Sequence, residues 1–135
     1  AIDAWPAVTV LGDPSGQLEL QQVLDQRRRF AAPAGTPGNL GRRLDAVWLH
    51  MALVVPGTQP AQRVLEIDYP SLYEVDVYVL TSGRVSAHHR LGNALPYAAR
   101  PLPSRTIAAP LTLAAPRVEN ENEVVPSVTM PLRPA

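Results

Sequence analysis

Residues 63–80 read RVLEIDYPSLYEVDVYVL, and two runs within them decide the fold. In RVLEIDY (63–69), Leu65, Ile67 and Tyr69 alternate with Val64, Glu66 and Asp68. In VDVYVL (75–80), Val75, Val77 and Val79 alternate with Asp76, Tyr78 and Leu80. A period of two belongs to a strand with one face on a core and the other face polar.

The same pattern extends outward on both sides. In AVWLHMALVV (46–55), Val47, Leu49, Met51 and Leu53 oppose Trp48, His50, Ala52 and Val54, and Pro56-Gly57 closes the run. Downstream, Thr81-Ser82-Gly83 is a hairpin-length turn into a return strand, Arg84–Leu91. Thr106–Leu113 is a further strand, with Pro110 marking an edge or bulge, and Ser127–Leu132 is the last. Upstream, WPAVTVL (5–11) reads as the first strand and Asp13-Pro14-Ser15-Gly16 as a turn. Leu20, Val23, Leu24 and Arg27 stand at helical spacing, which predicts one short helix over Leu18–Arg29. Arg27, Arg28 and Arg29 suit its C-terminus as a solvated end. AAPAGTPGN (31–39) is loop.

About eight short strands separated by turns predict an all-β domain, a β-sandwich or jelly roll. Leu49, Met51, Leu53, Leu65, Ile67, Val75, Val77 and Val79 are its expected core. The 135 residues fit one domain, and 15 Pro with 8 Gly disfavour long helices. Zero formal net charge without a basic face argues against a nucleic-acid partner. The absence of Cys excludes a disulfide scaffold, a thiolate zinc site and a Cys nucleophile. No apolar run reaches the 18 residues of a membrane span.

Several segments occur in one order: GDPSGQLELQQVL (12–24), NLG (39–41), VWLHMAL (47–53), the 63–80 stretch, and RLGNALPYAARPLPSRTIAAPLTL (90–113). This order resembles the extracellular type-2 domain of 7TMR-DISM receptors, bacterial seven-transmembrane receptors with diverse intracellular signalling modules. The resemblance spans roughly residues 8–113. It implies a jelly-roll sandwich similar to carbohydrate-binding modules, acting as a sensor and not as an enzyme. It further implies placement on the periplasmic face of the inner membrane. Seven membrane helices and a histidine kinase or diguanylate cyclase would follow, so residues 1–135 would be an excised, membrane-tethered input domain with no cofactor. The sequence departs from the family pattern in two places. His50 stands where members tend to carry Arg, and the polar stretch 114–125 (AAPRVENENEVV) stands where an apolar strand is expected.

The expected ligand site follows from strand alternation. Trp48 and His50, Glu66 and Asp68, and Asp76 and Tyr78 each oppose an apolar face. Were the three strands neighbours, these six side chains would share one surface. Arg100 and Arg105, stiffened by Pro101 and Pro103, would approach it, to bind a ligand carboxylate or to form a structural ion pair with Glu66, Asp68 or Asp76, the ion pair being the expected role of at least one. An aromatic platform with carboxylates and Arg suits a glycan or another small polar ligand. The alternatives are an ordinary solvent face, or Trp48 covered by the chain's own 31–39 loop. Glu66, Asp68 and Asp76 together could hold a hard cation such as calcium, although no calcium-loop motif is present. His88 and His89 are adjacent and face opposite sides of a strand, which argues against a shared metal. Glu119, Glu121 and Glu123 read as a solvated loop. Two rival classes remain: a glycan hydrolase using Glu66 with Asp68 or Asp76, and a homodimerising module pairing through exposed strand edges.

Overall fold

The structure is a computed structural model, and it describes residues 3–34, 46–67, 72–92 and 107–134. Nine strands run through these residues: β1 Thr9–Asp13, β2 Ala46–Ala52, β3 Ala61–Ile67, β4 Leu72–Thr81, β5 Arg84–Leu91, β6 Ile107–Leu113, β7 Arg117–Glu119, β8 Asn122–Val124 and β9 Ser127–Pro134. One five-stranded antiparallel sheet has the order β1-β2-β9-β4-β5, and β3 pairs with β6 in a second sheet. The chain crosses between the two at β2 to β3, β3 to β4 and β5 to β6, and it returns to the first sheet at β9. This is the all-β sandwich that the alternation predicts.

The core lies between the sheets. Val47, Leu49 and Met51 of β2, Val75, Val77 and Val79 of β4, and Val128, Met130 and Leu132 of β9 face Ala109, Leu111 and Leu113 of β6. Leu53, Leu65 and Ile67 pack at its margin, partly buried. Every expected core residue therefore belongs to this cluster or its border.

The expected last strand is the central one. β9 pairs with β2 on one side and with β4 on the other. It carries Pro131, which has no N–H for a ladder. The β4–β9 ladder pairs Val75 with Leu132 and Tyr78 with Thr129 in one register, with no bridge at Pro131 between them, and its register shifts between Leu72 and Glu74.

Several element boundaries differ from the sequence reading. Trp5–Ala7 is a 3-10 turn opened by Pro6, so β1 starts only at Thr9. The strand expected over 46–55 ends at Ala52. The helix expected over Leu18–Arg29 is a five-residue α1, Leu20–Leu24, followed by a 3-10 turn, Arg27–Arg29. The chain has to turn back here, because Ala31 bridges to Val10 through two backbone hydrogen bonds. Only Val23 of α1 is fully buried, which leaves little packing to extend a short helix. Finally, 114–125 is neither a core strand nor a loop. It forms the hairpin β7–β8, turned by Asn120 and Glu121, both at positive φ (50° and 66°).

Candidate functional site

The outer face of the five-stranded sheet carries the polar residues that alternation assigns to it. Register places Thr9, His50, Thr129, Tyr78 and His88 in one row across all five strands. A second row holds Leu11, Trp48 and Pro131, with Asp76 and Arg90 beyond. Trp48, His50, Asp76 and Tyr78 thus share one surface.

Glu66 does not join them. It lies on β3, in the opposite sheet, exposed and facing away from the core. The expected six-residue surface assumed that β2, β3 and β4 were sheet neighbours. The chain instead changes sheets at each step, and β9 fills the gap between β2 and β4. Glu66 and Asp76 are accordingly on different sheets, so they form neither the paired carboxylates of a hydrolase nor one oxygen cage for calcium. Asp68, Arg100 and Arg105 lie outside the described residues.

Residues Pro14–Phe30 form a strap over the β1–β2 half of the face. Leu11, Val23 and Trp48 make a small cluster separate from the sandwich core, flanked by Leu18, Leu20, Phe30 and Tyr78. Trp48 is only 1% exposed, so it offers no open platform while the strap is down. Among the described residues the cover is the helical segment; residues 35–39 of the loop expected to cover Trp48 lie outside them. Two anchors hold it: the Val10–Ala31 bridge and the buried carboxylate of Asp13. Burial alone would raise the Asp13 pKa. Hydrogen bonds donated by the Ser15 hydroxyl (2.7 Å), the Leu18 N–H (3.2 Å) and the Gly16 N–H (3.0 Å) outweigh it, and the pKa falls below its usual value. The Trp48 indole N–H adds to this effect without reaching hydrogen-bond geometry, and no other acceptor meets it among the described residues. Beneath the strap, His50 is 6% exposed, with Nδ1 2.9 Å from Thr129 Oγ1 and the Phe30 ring edge-on at 6.1 Å. Burial, then the charge of Arg27, pushes its pKa down to about 4.

The β4–β5 half is left more open. The Asp76 carboxylate sits at the centre of a cluster formed by one imidazole and two guanidinium groups. His88 Nε2 is 2.8 Å from Oδ1, Arg133 donates through Nη1 to Oδ2 at 3.0 Å, and Arg90 Nε lies 3.4 Å from Oδ1. The Arg90 side chain is 72% exposed. Tyr78 and His88 stack with ring centroids 4.3 Å apart. Burial and then the Asp76 charge raise the Tyr78 pKa above its usual value. A carboxylate that orients two guanidinium forks beside an aromatic pair offers directional donors and a flat surface to a small polar ligand.

His88, Arg90 and Arg133 are absent from the sequence-derived site. The place of His88 and Arg90 depends on a bulge: Leu80 pairs with Val85 but Val79 with Ala87, so Ser86 is left over. A regular two-residue hairpin would have set His88 opposite Val77, on the core side. The spare Ser86 instead donates to the Val79 carbonyl at 3.2 Å, and His88 comes to lie opposite Tyr78. Arg133 could be found only by knowing that β9 is central. Among the described residues, no group of three or more His, Asp or Glu is placed to hold a metal ion.

No curated protein matches the chain. The model of the 7TMR-DISM extracellular 2 family matches residues 6–129, nearly the whole of the sandwich and its strap. With the β-sandwich in place and the family pattern running through both of its sheets, the chain belongs to the 7TMR-DISM extracellular 2 family, an extracellular sensor domain of membrane receptors.

Proposed function

We propose that this domain is the ligand-sensing input of a bacterial signalling receptor, facing the periplasm and acting on a cytoplasmic histidine kinase or diguanylate cyclase. Its ligand is a glycan or another small polar molecule, taken on the open half of the outer face by Tyr78, His88, Arg90 and Arg133. Family membership supports the sensor role. The observation that carries the site is the Asp76 cluster, in which one mostly buried carboxylate fixes three donors while Arg90 remains largely in solvent. Asp76 and Tyr78 come to this reading from the sequence; Trp48 and His50 would join only with the strap raised. The domain itself turns nothing over. Release of product from a glycan by the purified protein, lost in Glu66→Gln, would overturn that part.

The test is a thermal-shift and calorimetric screen of oligosaccharides and small organic acids against the domain and its Arg90→Ala variant. Arg90 is exposed, so its loss should change stability by less than about 0.5 kcal/mol. A compound that binds the native domain and fails to bind Arg90→Ala supports the site. A compound bound equally by both moves the ligand elsewhere. The second reading is a homodimer through β5, which ends the five-stranded sheet. A stable dimer in solution, indifferent to every ligand, would favour it.

A further inference from the structure

The strap is built unlike the rest of the molecule. Its apolar contacts form their own cluster instead of joining the sandwich core. Its helix is one turn and a half long, and only Val23 seals it fully. Beneath it lie groups that a permanent cover would not ordinarily enclose: an indole N–H without an acceptor among the described residues, and the His50 imidazole. Among the described residues His50 makes one side-chain hydrogen bond there, to Thr129 of β9. The described groups around it are also Thr9 of β1, opposite it in register, and Phe30 and Arg27 of the strap. Arg27 is the charge that acts on His50 among the described residues, and it repels a protonated ring.

We infer that the strap Pro14–Phe30 is an acid-released cover: protonation of His50 lifts it from the sheet and uncovers Trp48 beside the open Asp76 cluster. A proton added to His50 under the closed strap creates a cation shut off from water and acted on by the Arg27 charge. Lifting the strap gives that cation water. The inference extends the sensor reading but does not need a ligand, so it can fail or hold independently of it.

The direction follows from linkage. With the strap down, His50 titrates near 4; in water it returns to its ordinary 6.5. Between these values the open state binds more protons than the closed one. Opening is therefore favoured as pH falls through 6.5, and the gain levels off below 4. The open-to-closed ratio should rise about 30-fold from pH 7.5 to pH 5. An extracellular domain is placed to meet such a change in its medium.

Native-state hydrogen exchange tests this on the strap amides of Val23, Asp25 and Gln26, which bond to Glu19, Gln21 and Val23 carbonyls. After correction for intrinsic rates, their protection should fall about 30-fold between pH 7.5 and pH 5, and stay flat in His50→Gln. At both pH values they should open more readily than the β4 and β9 amides. In a Trp5→Phe background, which leaves Trp48 as the single indole, acrylamide quenching should rise over the same range. The His50 ring, followed by NMR in the native protein, should titrate together with the strap, which keeps the test decisive if His50→Gln does not fold. Equal pH dependence in the native protein and His50→Gln would overturn the inference. So would strap and sheet amides opening together, or a His50 ring that titrates near 6.5 under a closed strap.

Discussion

Trp48 shows how a single residue can be placed on the right face and still be unavailable. Alternation puts it opposite Leu49, and the structure agrees, but Val23 and Leu11 bury it. Trp48→Ala should therefore cost about 3–5 kcal/mol of stability, as expected for a large buried aromatic. Denaturant unfolding measures it, and a loss below about 1 kcal/mol would mean that the strap is not closed in solution. Trp48→Phe is the informative companion. It keeps most of the volume and removes the indole N–H that finds no acceptor among the described residues, so it should be tolerated far better.

At the scale of elements, the turns set which side chains meet. In the β4–β5 turn, Ser82 and Gly83 both take positive φ (53° and 76°), as a two-residue hairpin requires. The bulge at Ser86 then shifts the register by one and brings His88 and Arg90 to Tyr78 and Asp76. The β7–β8 hairpin uses the same kind of turn with a less suitable residue. Glu121 holds φ 66°, and it is exposed. A left-handed conformation costs an L-residue roughly 1–2 kcal/mol that glycine escapes. Glu121→Gly should consequently raise stability by about 1 kcal/mol, visible as a higher Tm. An unchanged or lower Tm would show that the Glu121 side chain has a partner of its own.

For the molecule as a whole, stability rests on a strand from the far end of the chain. β9 joins the β1–β2 half of the sheet to the β4–β5 half, and it supplies Val128, Met130 and Leu132 to the core. A protein truncated after Pro126 should lose cooperative unfolding altogether, whereas deletion of a solvated terminus would be neutral. Circular dichroism with a melting curve distinguishes the two. Because β2 and β4 meet only through β9, the outer face, and with it both the strap's seat and the Asp76 cluster, exists only once the last strand is in place.

The sequence alone determined the strands and their inner faces. Side-chain alternation is local, so the core positions from Val47 to Val79 can be read from period two without knowing any partner. The hairpin turn at Ser82-Gly83 and the return strand Arg84–Leu91 were legible for the same reason. Strand order was decided only in three dimensions. Glu66 has the same local pattern as Asp76, yet its strand pairs with β6 across the sandwich. Which strands become neighbours depends on how two apolar faces are closed against each other, and that energy is shared among residues distant in the chain. The cover over Trp48, the central place of β9 and the gathering of His88, Arg90 and Arg133 around Asp76 are all consequences of that closure, and no local pattern records them.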